Sequence, residues 1–216
     1  MTPPVKVPMP AIAKLHDGGR APNPRRVRIF FAEKNMLLPE LVPVDIASLE
    51  QRQPEFLKLN PFGQIPLMVL EDGTALSETV AICRYIEALQ PEPALFGRGA
   101  LEQALVEMWN RRIEFGLYLA VQAVFRHSHP GMAGLEKPQV QEWAAVNRPI
   151  VERHLAILEA QLAGRSFICG DDITIADITA GVVIDLMKPA KITLDDGHSN
   201  IRRWHETMRA RPSWSA

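Results

Sequence analysis

Cysteine is scarce in this chain, and neither a long apolar run nor an excess of one charge is present. The two cysteines, Cys83 and Cys169, lie far apart and form no C-x-x-C pair, which argues against a disulfide scaffold and suits a reducing cytoplasm. Lys and Arg number 24 against 25 Asp and Glu, so nothing indicates a nucleic-acid partner or an anionic membrane surface. No apolar run reaches the roughly 18 residues that a membrane-spanning helix needs.

The N-terminus lacks the apolar stretch of a signal peptide, so we expect a cytoplasmic protein. Residues 1–10 include Pro3, Pro4, Pro8 and Pro10, and this composition predicts an extended tail. The chain does contain 47% hydrophobic residues over 216 positions, enough to form the core of one large domain or two small ones.

The first part of the chain alternates short strands and helices. We predict four strands, over residues 11–16, 41–45, 67–70 and 74–76. Asp72-Gly73 supplies the hairpin turn between the last two strands. One helix is predicted to begin at Asn23-Pro24, because Asn is a preferred N-cap and Pro fits the first helical position, and another covers residues 78–89. The order βαβ followed by ββα is that of a thioredoxin-like domain with a mixed four-stranded sheet.

The second part is predicted to be all helical, because apolar residues recur there at helical spacing. Gln90-Pro91-Glu92-Pro93 ends the preceding helix and marks a linker. We therefore divide the chain into a tail, a thioredoxin-like domain, a linker and an all-helical domain, at residues 1–10, 11–90, 91–99 and 100–216. The fold class is thus α/β followed by all-α.

Two features of the helical part predict local structure. Pro149 lies within a long amphipathic stretch and is expected to kink or interrupt that helix. Thr174 and Asp177 form a capping box at the start of another helix, with Ile173 and Ile178 at the hydrophobic staple positions.

The segment from Asn60 to Tyr85 combines an Ile-Pro pair before a strand, a hairpin, and an acid-hydroxyl pair at a helix start. Free backbone groups beside a helix N-terminus suit a small peptide-like anion. In order, spacing and residue types this segment resembles the glutathione-binding segment of the cytosolic glutathione transferases. The run from Phe167 to Asp177 and the closing Trp204 and Arg211-Pro212 resemble the helical domain of that family, so the resemblance covers nearly the whole chain.

The resemblance implies how glutathione is held. Pro66 is expected to follow a cis peptide bond, and the backbone of Ile65 to pair with the cysteinyl part of glutathione like an added strand. Glu78 is expected to pair with the amino group of the γ-glutamyl end, and Thr79 to hold its carboxylate. On the residues alone, Ser77 or Thr79 would simply cap a helix.

Two glutamines are weaker candidates for the same ligand. Gln64 precedes the Ile-Pro pair, where many relatives have Lys. Gln51 lies in a stretch that resembles a bacterial branch of the family, in which a Gln touches the glycyl end of glutathione. Both glutamines could also be solvated polar residues.

The turn before the first helix differs from most of the family. Lowering a thiol pKa takes a donor, a positive charge or a helix N-terminus, and many classes place a hydroxyl or thiol residue in this turn. Here Ala21 occupies that position. The run Ala-Pro-Asn-Pro is similar to the turn of the bacterial nu class, which implies that Asn23 stabilises the thiolate. The alternative is that Asn23 is only an N-cap.

Other chemically attractive residues are assigned structural roles. Cys83 and Cys169 are expected to be buried and unreactive. Two neighbouring histidines without a third ligand do not make a zinc site, so no metal is expected. The arginines near the first helix are expected to form a solvated face, namely Arg25, Arg26 and Arg28.

The resemblance implies a detoxifying, homodimeric glutathione transferase that transfers the thiolate to a hydrophobic electrophile. Arg112, Phe115 and Tyr118 are the candidates for binding that acceptor, by their location on the first long helices of the second domain. One alternative is a glutathione-dependent disulfide oxidoreductase, which the Asn-type turn favours. Another is a glutathione or hydrophobic-ligand binding protein without activity, which Ala21 favours. Glutathione-dependent isomerisation ranks last, because the turn lacks a Ser-rich pattern.

Overall fold

The computed structural model describes residues 10–216, so nearly all of the predicted tail lies outside the described residues. The strands are β1 (Ile12–Asp17), β2 (Glu40–Pro43), β3 (Leu67–Leu70) and β4 (Ala75–Ser77). The helices are α1 (Pro22–Glu33), α2 (Pro54–Leu59), α3 (Thr79–Leu89), α4 (Gly99–Arg112), α5 (Leu119–Ser128), α6 (Gln141–Gln161), α7 (Ile175–Met187) and α8 (Ser199–Arg209). A π-helical turn, Ile113–Tyr118, joins α4 to α5.

The four strands form one mixed sheet in the order β2-β1-β3-β4. β1 pairs in parallel with β2, whereas β3 is antiparallel to both β1 and β4. Since α1 connects β1 to β2 and α3 follows β4, the sheet has the predicted thioredoxin-like plan. The helices from α4 onward form the predicted helical domain, so both parts of the predicted fold class are confirmed.

The strand register brings four chain segments to one end of the sheet. Asp17, the last residue of β1, pairs with Pro43 at the end of β2. Leu67, the first residue of β3, pairs with His16 on one side and with Ser77 at the end of β4 on the other. The loops after β1, β2 and β4 therefore meet the loop that precedes β3.

α1 begins two residues earlier than its sequence predicts. Ala21, not Asn23, is the N-cap, and no side chain caps the helix. Pro22 therefore takes the first helical position, for which its fixed φ is as suitable as that of Pro24. The prediction of Asn23 as N-cap is wrong, and its side chain is left free for other contacts.

Two further local predictions differ from the structure. The connection from β2 to β3 contains α2 and a 3₁₀ turn, Glu50–Arg52, which the sequence patterns did not predict. Pro149 does not interrupt α6, which is continuous over 21 residues. Burial of Val151, Leu155 and Leu158 on the inner face of α6 offsets the cost of about 3 kcal/mol for an interior proline.

α7 is the central helix of the second part and packs against α1, α4, α5 and α8. Its capping box between Thr174 and Asp177 is confirmed. Asp177 is 0% exposed and also accepts hydrogen bonds from the Ile168 N–H and the Trp204 indole. This carboxylate therefore connects the start of α7 both to α8 and to the loop that precedes α7. Within residues 10–216, no helix has the length and apolarity needed to cross a membrane.

Candidate functional site

The candidate site lies at the end of the sheet where the four loops meet. The turn after β1 lies directly on the segment before β3, because a Cβ at Gly18 would come within 2.2 Å of Ile65 Cδ1 and 2.6 Å of Ile46 Cδ1. A larger residue at position 18 would require the ends of both isoleucine side chains to move. The start of α1 is thereby held next to Ile65, and the β3–β4 pairing holds Ile65 near Glu78.

Ile65 offers unpaired backbone groups at the start of β3. The Ile65–Pro66 peptide bond is cis, as the resemblance implied. The carbonyl of Gln64 accepts a hydrogen bond of 2.8 Å from the Asn60 amide. Within the described residues, however, the N–H and carbonyl of Ile65 have no hydrogen-bond partner. An extended peptide could therefore pair with Ile65 as an added strand.

The start of α3 offers a second set of free donors. Glu78 is the N-cap, with φ 68° and ψ 118°, and no side chain caps the helix. A non-glycine residue at positive φ costs of order 1–3 kcal/mol, and such residues cluster at functional sites. In the part of the chain that is described, the N–H groups of Thr79, Val80 and Ala81 have no partner. Thr79 is buried and Glu78 is exposed, so an anion at this helix start would meet a hydroxyl and a free carboxylate.

Gln51 lies on the 3₁₀ turn beside the segment before β3. Its side chain is only 6% exposed, and its Oε1 atom has no hydrogen-bond partner among residues 10–216. A Cβ at Gly63, whose φ is +58°, would lie 3.0 Å from the Gln51 carbonyl oxygen, so the two segments are in contact. An unpaired buried amide oxygen costs about 1–3 kcal/mol, which a ligand N–H would recover. The side chain of Gln64 is exposed.

The first turn of α1 has one backbone donor. Pro22 and Pro24 have no N–H, so Asn23 supplies the only N–H group among the first three helical residues. That N–H has no partner in the described chain. Because no side chain caps the helix and Ala21 presents only a methyl group, the positive end of the helix dipole stays open.

The Asn23 side chain is held through its oxygen. Its Oδ1 accepts hydrogen bonds from the Tyr118 hydroxyl at 2.9 Å and from Arg26 Nη1 at 3.3 Å. Since a guanidinium can only donate, the amide atom that faces Arg26 is the oxygen. The Asn23 Nδ2 group has no partner within residues 10–216 and is available to an acceptor such as a thiolate.

Arg26 is buried, which contradicts the expectation of a solvated arginine face. It is 1% exposed, and its Nη2 donates to Glu114 at 2.6 Å and to Thr179 at 2.7 Å. The other two arginines are also paired, Arg25 with Asp185 at 2.6 Å and Arg28 with Asp17 at 2.5 Å. Arg26 thus connects α1 to the π turn and to α7, a contact that the sequence patterns did not predict. Its main partner lies 88 residues away, so no local pattern reveals the pair.

The three acceptor candidates differ in exposure. Phe115 is 65% exposed, and Arg112 is exposed with its guanidinium 5.1 Å from the centre of the Trp109 ring. Tyr118 is only 5% exposed and contacts Asn23. Burial raises the pKa of Tyr118 to about 12, so its hydroxyl is protonated at neutral pH and can donate.

Cys83 is buried as expected, whereas Cys169 is only partly buried. Cys83 is 0% exposed and Cys169 is half-buried, and both are free thiols. Burial raises the pKa of each to about 12, so neither supplies a thiolate at neutral pH. Any reactive thiolate at this site must therefore come from a ligand.

The candidate site thus combines a thioredoxin-like sheet, unpaired backbone groups before β3, two helix starts without side-chain caps and a helical second domain, an arrangement able to bind a small peptide-like anion at one end of the sheet. Comparisons with known proteins agree. Residues 21–89 match the family model for the glutathione S-transferase N-terminal domain, and residues 141–207 match that for the C-terminal domain.

Glutathione S-transferase 2 of Saccharomyces cerevisiae is 34% identical over 201 residues, which cover 92% of this chain and 86% of that protein. A glutathione S-transferase domain-containing protein of Marinobacter aquaeolei VT8 has a similar structure, with a TM-score of 0.89, 34% identity, and coverage of 93% of this chain and 99% of the other. For Gtt2 of Saccharomyces cerevisiae the TM-score is 0.87 and the identity is 33%, with coverage of 94% of this chain and 98% of the other. The chain therefore belongs to the glutathione transferase family.

Proposed function

We propose that this protein is a glutathione transferase that binds glutathione at the end of the sheet where the four loops meet and stabilises its thiolate at the start of α1. The observation that carries this proposal is the uncapped first turn of α1, where Asn23 presents both its N–H and its Nδ2 group without partners in the described chain. Membership of the family supports glutathione as the co-substrate, and no metal is needed for the roles assigned below.

Each part of glutathione has a partner of suitable chemistry. The free backbone groups of Ile65 pair with the cysteinyl unit, with cis Pro66 following. The Glu78 carboxylate pairs with the γ-glutamyl ammonium group, and the Thr79 hydroxyl and first-turn N–H groups of α3 bind the adjacent carboxylate. Gln51 binds the glycyl end, and Gln64, which precedes Ile65, is a further glutathione contact. Gln51 Oε1 is buried without a partner among the described residues, which supports its assignment.

Asn23 lowers the pKa of the bound thiol by stabilising its charged form. Two N–H donors and the positive end of α1 all favour a thiolate over a thiol. The thiol proton goes to solvent, and no side-chain base is required.

The thiolate then attacks an electrophilic carbon of a hydrophobic acceptor. A sulfur lone pair forms the new carbon–sulfur bond, and a halide leaves with the electron pair of the bond that breaks. We assign acceptor binding to Arg112, Phe115 and Tyr118, and propose detoxification of such electrophiles as the role.

We also propose that the protein acts as a cytoplasmic homodimer. Large apolar side chains that stay exposed in a single chain support a second copy as partner, among them Leu37 at 94% exposure and Phe62 and Leu101 at 75%. The two free thiols suit a reducing compartment.

Reduction of a glutathione mixed disulfide is the alternative reaction, in which the thiolate attacks sulfur and a thiolate leaves. The resemblance of the Asn-type turn to that of the bacterial nu class favours it. Conjugation of a chlorinated nitroaromatic and reduction of a mixed disulfide, measured side by side, distinguish the two reactions. We expect conjugation above the uncatalysed rate; disulfide reduction alone would support the alternative, and neither would indicate a binding protein.

Two variants of Asn23 test its role in whichever reaction is found. Asn23→Ala removes the Nδ2 donor, and we expect kcat/KM to fall about 10- to 100-fold, as for hydrogen bonds to charged groups. Asn23→Asp keeps the oxygen that Tyr118 and Arg26 bind but places a negative charge beside the sulfur. It should be at least as impaired as Asn23→Ala, and full activity in either variant would contradict the proposed donor.

A further inference from the structure

We propose that Tyr118 is a positioning residue for the reaction: together with Arg26, its hydroxyl holds the Asn23 amide with the NH₂ side, not the carbonyl side, facing the glutathione sulfur. This inference rests on the proposed role of Asn23. It goes beyond that role by giving Tyr118 a part in activating the thiol that is separate from any contact with the acceptor.

An asparagine in this place needs an anchor. Its terminal torsion is broad and roughly two-fold, so the oxygen and NH₂ sides of the amide exchange by a simple rotation. The NH₂ group stabilises a thiolate, whereas the oxygen repels it. An unanchored Asn23 would therefore present the wrong side to the sulfur for part of the time.

Two hydrogen-bond donors fix the rotation of the Asn23 amide. The Tyr118 hydroxyl and Arg26 Nη1 both bond to Asn23 Oδ1, at 2.9 and 3.3 Å. If the amide rotated, its NH₂ group would face the guanidinium, which has only donors. Asn23 and Arg26 would then lose the hydrogen bond between them. The Tyr118 hydroxyl can donate or accept, so the guanidinium selects the oxygen side of the amide, and the shorter bond from Tyr118 restrains the amide in that orientation.

The anchor itself is rigid. Tyr118 is 5% exposed, and the Arg26 guanidinium lies 5.9 Å from the centre of its ring. Glu114 and Tyr118 are four residues apart on the π turn, while Asn23 and Arg26 are three apart on α1. Tyr118 bonds to Asn23, and Glu114 bonds to Arg26. The π turn therefore holds both the Asn23 amide and the Arg26 guanidinium in place.

The test measures the pKa of the bound glutathione thiol from its ultraviolet thiolate absorbance against pH, with no acceptor present. Tyr118→Phe removes one hydroxyl and keeps the ring. We expect the thiol pKa to rise by roughly half to one unit, the effect of one neutral hydrogen bond. Tyr85→Phe is the matched control, because it removes the only other tyrosine hydroxyl, which bonds to the Pro10 carbonyl away from the site. It should leave the thiol pKa unchanged.

A double variant separates positioning from direct contact. If Tyr118 acts through Asn23, then Tyr118→Phe should add nothing to the pKa measured for Asn23→Ala. A further rise in the double variant would overturn the positioning role, as would an unchanged pKa in Tyr118→Phe when Asn23→Ala raises it. In both of those cases the proposed role of Asn23 survives. An unchanged thiol pKa in Asn23→Ala would overturn both proposals.

Discussion

Asp177→Ala is expected to destabilise the protein by about 4 kcal/mol, because it removes one acceptor that several buried donors share. The carboxylate accepts hydrogen bonds from the Ile168 N–H, the Thr174 N–H and hydroxyl, and the Trp204 indole, at 2.8 to 3.0 Å. Alanine leaves these buried donors without an acceptor, at about 1–3 kcal/mol each before the surroundings relax. The loss that remains after relaxation is a large fraction of the free energy of unfolding of a typical domain, which is roughly 5–15 kcal/mol.

Thermal unfolding followed by circular dichroism measures this loss. We expect the Tm to fall by roughly 10 °C or more, given about 2–4 °C per kcal/mol for a chain of this size. Asp171→Ala is the matched control, since Asp171 is an exposed aspartate six residues earlier. The Tm of this variant should stay within about 2 °C of the Tm of the unsubstituted protein. Equal effects of the two substitutions would contradict the account of Asp177.

Arg26→Met is expected to have the second-largest effect, on stability and activity together. It removes a buried cation and leaves Glu114, which is only 14% exposed at its side chain, with Arg111 as its remaining ion-pair partner in the described chain. Breaking a buried ion pair on one side typically costs about 3–5 kcal/mol. Methionine fills much of the same volume, so the cost reflects the lost pairing more than a cavity.

The double variant Arg26→Met with Glu114→Met should recover most of that stability. Replacing both members of a buried pair by apolar residues of similar volume is often neutral or stabilising. Denaturant unfolding of the single and double variants measures the coupling. Additive losses would mean that the two residues do not act as a pair. Activity should stay low in the double variant, because Asn23 has lost one of its two anchors.

The sheet and the order of its elements could be predicted because local patterns carry them. Alternating apolar residues, the Asp72-Gly73 turn and the Thr174–Asp177 capping box each act over a few residues. The start of α1 was misplaced because Pro22 and Pro24 are equally suited to begin a helix. Pro149 was expected to kink or interrupt α6; the helix is not interrupted, because tertiary packing that the local pattern does not contain outweighs the local cost.

The candidate glutathione site was predicted from the resemblance, and the strand register explains how its residues come together in the structure. His16, Leu67 and Ser77 lie side by side, so the segments containing Gly18, Ile65 and Glu78 must meet. The hydrogen bonds that hold the Asn23 side chain could not be predicted. Tyr118 lies 95 residues away from it in the chain, and the pairing depends on how the π turn packs on α1.

A crystal structure with glutathione bound tests the central claim most directly. The measured quantity is the distance from the glutathione sulfur to each polar atom around it. We expect the sulfur to lie within hydrogen-bonding distance of the Asn23 Nδ2 or N–H group, with the cysteinyl backbone paired to Ile65 and the γ-glutamyl end at Glu78 and Thr79. A sulfur atom directed away from the first turn of α1, with another group as its nearest donor, would contradict the account.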